Sequence, residues 1–170
     1  MSGADGVVRP ISPADVPRLV DLERVLFGPS AWNEAMIREE LDAPGRWYVG
    51  IDGDEPEAVP VRGAPVAASR LVAYAGLWFD GDVSQVMTIG VVPGAQRRGL
   101  GARLLQALVD RSRELGADAV LLEVRVDNDA AVALYTGLGF RVLGRRKRYY
   151  QPEDVDAWTM RLLLRPAARP

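Results

Sequence analysis

The sequence Gln-Arg-Arg-Gly-Leu-Gly at residues 96–101 has the residue types and spacing that bind phosphate. It stands between a strand pattern and the start of a helical pattern, where unpaired N–H groups and a partial positive charge suit an anion. Gly99 and Gly101 have no side chain to keep phosphate oxygens away from the main chain. Arg97 and Arg98 offer charge-assisted hydrogen bonds. This stretch predicts a phosphate-binding loop.

Other phosphate-binding motifs fit this stretch less well. A Rossmann fingerprint needs a third small residue, and the corresponding position is Leu104. A Walker A loop needs Gly-Lys-Ser or Gly-Lys-Thr, which the sequence lacks. A plain helix start that contains glycine is the remaining alternative, but the strand–loop–helix context favours phosphate binding.

The elements that position this loop follow from the spacing of apolar residues and from residues that begin or end helices. Strands are predicted at 7–11, 47–51, 71–79, 83–92, 119–124, 140–143 and 158–164, of which 119–124 is typical of a buried strand. Helices are predicted from the cap Ser12 to Gly28, from near Asn33 to Pro44, from near Gly99 to Gly116, and at 130–138 with Asn128 or Asp129 as cap. The order β-α-α-β-β-β-α-β-α-β-β predicts an α/β fold with a mixed sheet and helices on both faces.

The segment 52–69 is rich in proline, alanine, glycine and acidic residues, and it is longer than most connections. We interpret it as a mobile loop between two antiparallel strands, because the pieces on either side are too small to be separate domains. Residues 1–170 are therefore expected to form a single domain, with a disordered tail at 165–170.

The composition excludes several kinds of site. The chain has no cysteine, so it holds no disulfide, no thiolate metal site and no cysteine acyl-enzyme, and no metal is expected. It has no histidine, so a Ser-His-Asp triad is excluded. No apolar run approaches the ~20 residues of a membrane span, and the N-terminus lacks a signal-peptide pattern, so we expect a cytoplasmic protein.

Charge gives a weaker indication. A net charge of −2 and a pI near 5.3 argue against direct nucleic-acid binding. The basic cluster at 145–148, Arg-Arg-Lys-Arg, is either a solvated face or part of an active site, and the sequence leaves both open.

Gln96, Gly99 and Gly101 match the motif Gln/Arg-x-x-Gly-x-Gly/Ala, and here the chain resembles the GNAT N-acetyltransferases. The resemblance implies acetyl-CoA as co-substrate and a central, mostly antiparallel mixed sheet. A glycine in a strand, such as Gly90, indicates a close approach beside a ligand or an ordinary irregularity. The coenzyme-binding residues that the resemblance implies are Ile89, Gly90, Val91, Gln96, Arg97, Arg98, Gly99, Leu100, Gly101, Ala102, Asn128 and Tyr135.

A narrower resemblance rests on Leu-Glu-Val-Arg at 122–125, Asn128, Ala-Leu-Tyr at 133–135 and Gly-Phe at 139–140. These residues are similar to the ribosomal-protein-alanine N-acetyltransferases of the RimI type. The resemblance implies Glu123 as general base and Tyr135 as general acid, in a direct transfer within a ternary complex. An ordinary glutamate, with a reference pKa of ~4.3, is a weak base, so burial or a relay is expected to help.

Each of these residues has a plainer alternative. Glu123 pairs with Arg125 or caps a sheet edge, Tyr135 packs in the core, and Asn128 is only a helix cap. Three aromatic residues are predicted to contact the acceptor, with core packing as the alternative: Trp32, Tyr149 and Tyr150.

The acceptor is expected to be the N-terminal amine of a protein. An α-amine has a reference pKa of ~8 and a lysine ~10.4, so reaching the free base costs the lysine ~3.3 kcal/mol more. The resemblance implies the N-terminal alanine of a small-subunit ribosomal protein. From the charge, the lack of a long apolar run and the strand edges near the C-terminus we expect a monomer or weak homodimer that contacts neither nucleic acid nor membrane. A small amine, a lysine side chain or a non-catalytic acyl-CoA sensor are the alternatives.

Overall fold

A computed structural model of the protein describes residues 6–53 and 69–164. Residues 54–68 of the predicted loop and the predicted tail at 165–170 lie outside the described residues. The strands are β1 (Val8–Pro10), β2 (Arg46–Asp52), β3 (Leu71–Phe79), β4 (Ser84–Val91), β5 (Ala119–Arg125), β6 (Arg141–Tyr150) and β7 (Val155–Leu163). The helices are α1 (Val16–Phe27), α2 (Glu34–Asp42), α3 (Leu100–Glu114) and α4 (Asp129–Gly137). This order of elements confirms the predicted one.

The strands form one seven-stranded sheet in the order β1-β2-β3-β4-β5-β7-β6. β4 and β5 are parallel, whereas β1–β2, β5–β7 and β6–β7 are antiparallel. The last strand therefore inserts between β5 and β6. The predicted mixed, mostly antiparallel sheet is confirmed. None of the described helices is long and apolar enough to cross a membrane.

The contacts divide the chain into two compact units. The first comprises the described residues of Met1–Gly76 together with Thr88–Ala107, and it holds the phosphate-binding loop. The second comprises the described residues of Leu77–Met87 together with Leu108–Pro170, and it holds β5, α4, β6 and β7. Each unit has its own set of buried apolar side chains, for example Leu22 and Leu104 in the first and Leu122 and Phe140 in the second.

Polar side chains begin two of the helices where the sequence predicts caps. The Asn33 side chain accepts from the Met36 N–H at 3.0 Å at the start of α2. Asn128, not Asp129, caps α4 and accepts from the Ala131 N–H at 3.1 Å. Ser12 is also confirmed as a capping residue, but the element that it caps is a short 3₁₀ turn at Pro13–Asp15. α1 therefore begins at Val16 and not directly after Ser12.

Two strand predictions need correction. β5 is not buried on both faces: Val120, Leu122 and Val124 are buried, while Leu121, Glu123 and Arg125 are partly exposed on the other face. β6 does not end near residue 143 but continues to residue 150, so the basic cluster at 145–148 lies in a strand. Charged residues have low strand propensity, but here the pairing with β7 overrides it.

Candidate active site

The predicted phosphate-binding loop, in the first unit, ends in the first turn of α3. The Arg103 N–H donates to the Gly99 carbonyl at 3.1 Å, so Gly99 occupies the N-cap position. The N–H groups of the next three residues are those that a helix start leaves without intrahelical acceptors. Gly99 has φ 77°, and a Cβ there would meet no atom within 4 Å. The open main chain and the free N–H groups fit the pyrophosphate of coenzyme A.

The polar side chains of this loop contact the loop itself. Gln96 Nε2 donates to the Val91 carbonyl at 3.1 Å, and Arg98 Nη2 donates to the Gly94 carbonyl at 2.9 Å. Arg97 has φ 63°, a left-handed conformation that is uncommon outside glycine. These contacts give Gln96 and Arg98 a role in the shape of the loop, and their contact with the coenzyme stays a prediction.

The absence of a side chain at Gly90 is explained by close packing within the first unit. A Cβ at Gly90 would lie 2.6 Å from Leu26 Cδ1 and 3.0 Å from Tyr74 Cε1. The close approach that the sequence predicts is therefore made by α1 and β3. The strand residues on either side, Ile89 and Val91, are half-buried, and the pairing of this strand with pantetheine stays a prediction.

A buried glutamate connects the predicted acceptor residue Trp32 to this packing. Glu23 is 3% exposed; it accepts a hydrogen bond from the Tyr74 hydroxyl and another from the Trp32 N–H at 3.0 Å. Burial raises the pKa of Glu23, although both hydrogen bonds oppose that shift. Trp32 itself is half-buried, and it lines a narrow pocket with Glu23, Glu40, Tyr48 and Tyr74.

The predicted general base lies in the second unit on the half-exposed face of β5. Its side chain is 11% exposed. The Thr159 hydroxyl donates to Glu123 Oε2 at 2.7 Å, and Arg146 Nε lies 3.5 Å from Glu123 Oε1. Arg125 pairs instead with Asp127 at 3.0 Å, so the alternative pairing of Glu123 with Arg125 is wrong.

The predicted general acid, Tyr135, lies in α4. It is 8% exposed, and its ring packs against Phe140 with the ring centroids 5.9 Å apart. Burial raises the pKa of Tyr135 to about 12. Among the described residues its hydroxyl has no hydrogen-bond partner, so the buried phenol remains available as a donor. Tyr135 is therefore also packed in the core, as the plainer alternative predicts.

Of the two predicted acceptor residues in β6, Tyr150 contacts Glu123 and Tyr149 packs beside Tyr150. Tyr149 and Tyr150 make an edge-to-face pair with centroids 5.0 Å apart, and the Tyr150 hydroxyl donates to the Glu123 carbonyl oxygen at 3.4 Å. Burial, followed by the charges of Tyr149, Tyr135 and Glu123, raises the pKa of Tyr150 to about 12.

The basic cluster at 145–148 is largely neutralised by acidic neighbours. Arg145 pairs with Asp156 at 2.6 Å, and Arg148 pairs with Asp154 at 3.3 Å. Arg146 reaches Glu123, and its guanidinium also lies over the Tyr149 ring, 5.4 Å from the centroid. Of the two alternatives for this cluster, a solvated face describes Arg148, whereas Arg146 lies against the predicted base.

Comparison with known proteins identifies the family. Residues 17–140 match the acetyltransferase (GNAT) family. The chain belongs to this family. The acetyltransferase is 41% identical over 153 residues to the N-alpha-acetyltransferase RimI of Mycobacterium tuberculosis, covering 87% of this chain and 86% of that protein. The predicted resemblance to the RimI type and the assignment as an acyltransferase are confirmed.

Solved structures agree with this assignment. The acetyltransferase superposes on the crystal structure of the ribosomal-protein-S18-alanine N-acetyltransferase from Escherichia coli with a TM-score of 0.77, 26% identity and 96% coverage of both chains. It shares the fold of Arabidopsis thaliana NAA60 in complex with acetyl-CoA, with a TM-score of 0.76, 20% identity and coverage of 93% of this chain and 98% of that one.

Sequence reasoning missed two residues around these sites and named a third only as part of the basic cluster at 145–148. Glu23 stands among the apolar residues of α1 at helical spacing, which was a signal of burial, but nothing local indicated Tyr74 as its partner. Thr159 had no predicted role, and only strand pairing brings it and Arg146 of the basic cluster to Glu123. Within the described part of the acetyltransferase no group of three or more acidic residues is arranged to hold a metal ion.

Proposed function

We propose that this acetyltransferase transfers the acetyl group of acetyl-CoA to the N-terminal α-amine of a protein. The observation that carries the proposal is the Glu123 carboxylate, which is 11% exposed and has one oxygen held by Thr159 and the other beside a cation. A carboxylate in this setting accepts a proton from a bound ammonium group. The names of its M. tuberculosis and E. coli relatives, an N-alpha-acetyltransferase and an alanine N-acetyltransferase, support a protein terminus as acceptor.

The acceptor that we propose is the N-terminal alanine of a small-subunit ribosomal protein. This follows the E. coli relative, which is named a ribosomal-protein-S18-alanine N-acetyltransferase. The reference pKa of an α-amine is ~8, about two units below that of lysine, so a single carboxylate with no histidine suits it better. Trp32, Tyr149 and Tyr150 are the residues that we propose to contact the acceptor.

Acetyl-CoA, when bound, supplies the acetyl group as an activated thioester. The N–H groups at the start of α3 and the guanidinium groups of Arg97 and Arg98 would bind its pyrophosphate. The main chain of Ile89, Gly90 and Val91 would pair with its pantetheine arm, and Asn128 would contact it as well. Arabidopsis NAA60, which shares the fold, was crystallised with acetyl-CoA, and this supports the proposed co-substrate.

We assign the two proton movements to Glu123 and Tyr135. Glu123 removes the proton from the acceptor's ammonium group, directly or through a water. A pKa of about 12 keeps Tyr135 protonated at neutral pH, so its hydroxyl donates to the sulfur as negative charge develops there. With no cysteine or histidine in the chain, direct transfer without an acyl-enzyme is the simplest course.

The test is release of free thiol from acetyl-CoA with a panel of acceptors. The panel contains short peptides that begin with alanine, the same peptides blocked at the N-terminus but carrying a lysine, polyamines and aminoglycosides. Turnover confined to free N-termini supports the proposal. Turnover with small amines or with the blocked lysine peptide alone contradicts it in favour of that acceptor, and tight coenzyme binding without any turnover identifies a sensor.

A further inference from the structure

Thr159 of β7 stands directly opposite Glu123 of β5. The two residues are partners in the antiparallel register, so their side chains lie on the same face of the sheet, with Cβ atoms about 4.5–5.5 Å apart. Thr159 Oγ1 donates to Glu123 Oε2 at 2.7 Å, the length of a hydroxyl–carboxylate hydrogen bond to an ionised group. This contact is therefore fixed by the pairing of two strands and does not depend on a loop.

The other carboxylate oxygen has a more weakly held partner. Arg146 Nε lies 3.5 Å from Glu123 Oε1, and the arginine side chain is 57% exposed. Exposed ion pairs contribute little, because solvent screens them and a long side chain loses entropy. The same guanidinium also lies over the Tyr149 ring, so it makes a second contact that does not involve Glu123. Oε1 is thus the oxygen that an incoming ammonium group can reach by displacing a partner.

The remaining charged and titratable groups near Glu123 do not hold its carboxylate. Tyr150 of β6 donates to the main-chain carbonyl of Glu123, not to its side chain. Arg125, two residues along the same strand, is bound to Asp127 and lies 3.8 Å from Glu153. Within the described part of the second unit, Thr159 is therefore the one side chain that hydrogen-bonds the carboxylate.

We propose that Thr159 is a positioning residue for the transfer: it holds Oε2 of Glu123 so that Oε1 receives the acceptor's proton. The proposal rests on the proposed function, in which Glu123 is the base. A proton passes from the acceptor's ammonium nitrogen to Oε1, directly or through a water, and the carboxylate becomes a carboxylic acid. The freed electron pair of the amine forms the bond to the acetyl carbon, and the carbon–sulfur bond breaks with its electron pair left on sulfur. The thiolate takes its proton from Tyr135, and the second proton that the nitrogen sheds on becoming an amide restores the phenol.

The hydroxyl is useful at this position because it fixes the rotamer of the glutamate, so that Oε1 stays in one place for the acceptor. A valine at position 159 has nearly the same shape and strand propensity but cannot donate a hydrogen bond to Oε2.

The experiment compares Thr159→Val with Thr159→Ser, which keeps the hydroxyl, and with Glu123→Gln. The preferred alanine peptide of the acceptor panel is the substrate, and kcat and KM are measured at neutral pH. We expect Thr159→Val to lower kcat/KM about tenfold, the effect of losing one hydrogen bond to a charged group. We expect the loss to lie in kcat, with the KM for acetyl-CoA unchanged, and we expect Thr159→Ser to retain the wild-type rate.

A double variant separates positioning from a general loss of structure. A residue that acts only through the Glu123 carboxylate has no further effect once that carboxylate is gone, so Thr159→Val should not slow Glu123→Gln any further. Thermal unfolding of each variant checks the fold, and Thr159→Ala provides a second variant without the hydroxyl. If Thr159→Val slows Glu123→Gln as much as it slows wild type, the substitution acts through packing, which overturns the proposal.

The outcomes distinguish this proposal from the proposed function. A folded Thr159→Val protein with the rate of wild type overturns the positioning role, and the function stands if Glu123→Gln is strongly impaired. If Glu123→Gln retains the wild-type rate, Glu123 is not the base, and the positioning role falls with it. A slower Thr159→Val protein, with rescue by serine and no further loss in the Glu123→Gln background, supports the proposal.

Discussion

Each of the two units holds a glutamate whose side chain is largely shielded from solvent, and the groups that contact the two carboxylates differ in kind. Glu23 in the first unit is 3% exposed, and its partners are neutral donors, the Tyr74 hydroxyl and the Trp32 N–H. Glu123 in the second unit has a side chain that is 11% exposed, and its partners are the Thr159 hydroxyl and the Arg146 guanidinium.

On this difference we propose Glu23 as a structural carboxylate and Glu123 as the general base. Burial among neutral groups raises the pKa of Glu23, which favours its protonated form and makes it part of a hydrogen-bonded core. Glu123 lies beside a solvent-exposed cation, so an ammonium group from solution can take the place of that cation. Burial alone therefore does not identify a catalytic acid or base, and the nature of the partners decides.

The largest effect expected is on catalysis by Glu123→Gln. Removing a general base typically lowers the rate 10²–10⁴-fold, so we expect kcat to fall at least about a hundredfold. Binding of acetyl-CoA, measured by calorimetry, should stay within about twofold, because the amide keeps the size of the side chain. Thiol release with the alanine peptide measures the rate.

The matched control is the same substitution in the other unit. Glu23→Gln keeps an oxygen that can accept from Tyr74 or the Trp32 N–H, so kcat should stay within about threefold of wild type. A large loss of kcat in Glu23→Gln, with the fold intact, would show that the buried carboxylate takes part in the chemistry and that the distinction drawn above is wrong.

The next largest effect is on stability, and here the substitution of Glu23, not that of Glu123, is expected to have the larger effect. Glu23→Ala removes the acceptor of two hydrogen bonds and leaves a space beside Tyr74, so the free energy of unfolding should fall by about 2–4 kcal/mol. Urea denaturation measures it, with Glu39→Ala on the exposed face of α2 as a control expected within about 0.5 kcal/mol. If the free energy of unfolding falls no more in Glu23→Ala than in the control, the hydrogen bonds of Glu23 do not stabilise the fold.

The same comparison shows what the sequence could and could not predict. Local patterns were enough for the helices, for the start of α2 near Asn33 and for the loop before α3, and they narrowed the cap of α4 to Asn128 or Asp129, because spacing and capping residues act over a few positions. The hydrogen bonds of Glu23 and Glu123 were not predicted, because their partners lie 51 and 36 residues away. Such partners are set by strand register, which single-sequence spacing does not fix.

The far end of β6 was missed for a related reason. Its basic residues have low strand propensity, and the strand is exposed along nearly all of its length. Register shifts interrupt its pairing with β7 between Val142 and Gly144 and between Arg146 and Tyr150. An exposed, irregular strand has neither alternation nor an apolar run, so no pattern in the sequence separates it from a loop.

The pH dependence of stability tests the environment of Glu23 directly. Its pKa in the folded protein is raised above the ordinary value of 4.5, so the folded state binds more protons than the unfolded state between these two values. Stability contributed by the protonated form is present below the ordinary value and is lost as the pH rises through the raised one. Glu23→Gln does not titrate, so its stability relative to wild type should rise with pH across that window.

Urea denaturation of wild type and Glu23→Gln at pH 5, 6, 7 and 8 measures this difference. Thr159→Ser is a suitable reference protein, because it retains Glu23 and should follow the pH dependence of wild type. A difference between wild type and Glu23→Gln that is constant over the whole range would mean that the carboxyl group titrates alike in the folded and unfolded states.

The smallest effect expected is at Arg146, whose exposed guanidinium competes with the acceptor for Glu123 Oε1. Arg146→Gln removes the competitor, so the KM for the alanine peptide should fall about two- to fivefold, in keeping with the small free energy of an exposed ion pair. Arg145→Gln is the matched control from the same strand, because Arg145 binds Asp156 and lies over the Trp158 ring at 5.3 Å. Since salt screens this pair, the difference between the two variants should shrink as ionic strength rises. A KM that rises in Arg146→Gln would instead make this arginine an acceptor contact through its place beside Tyr149.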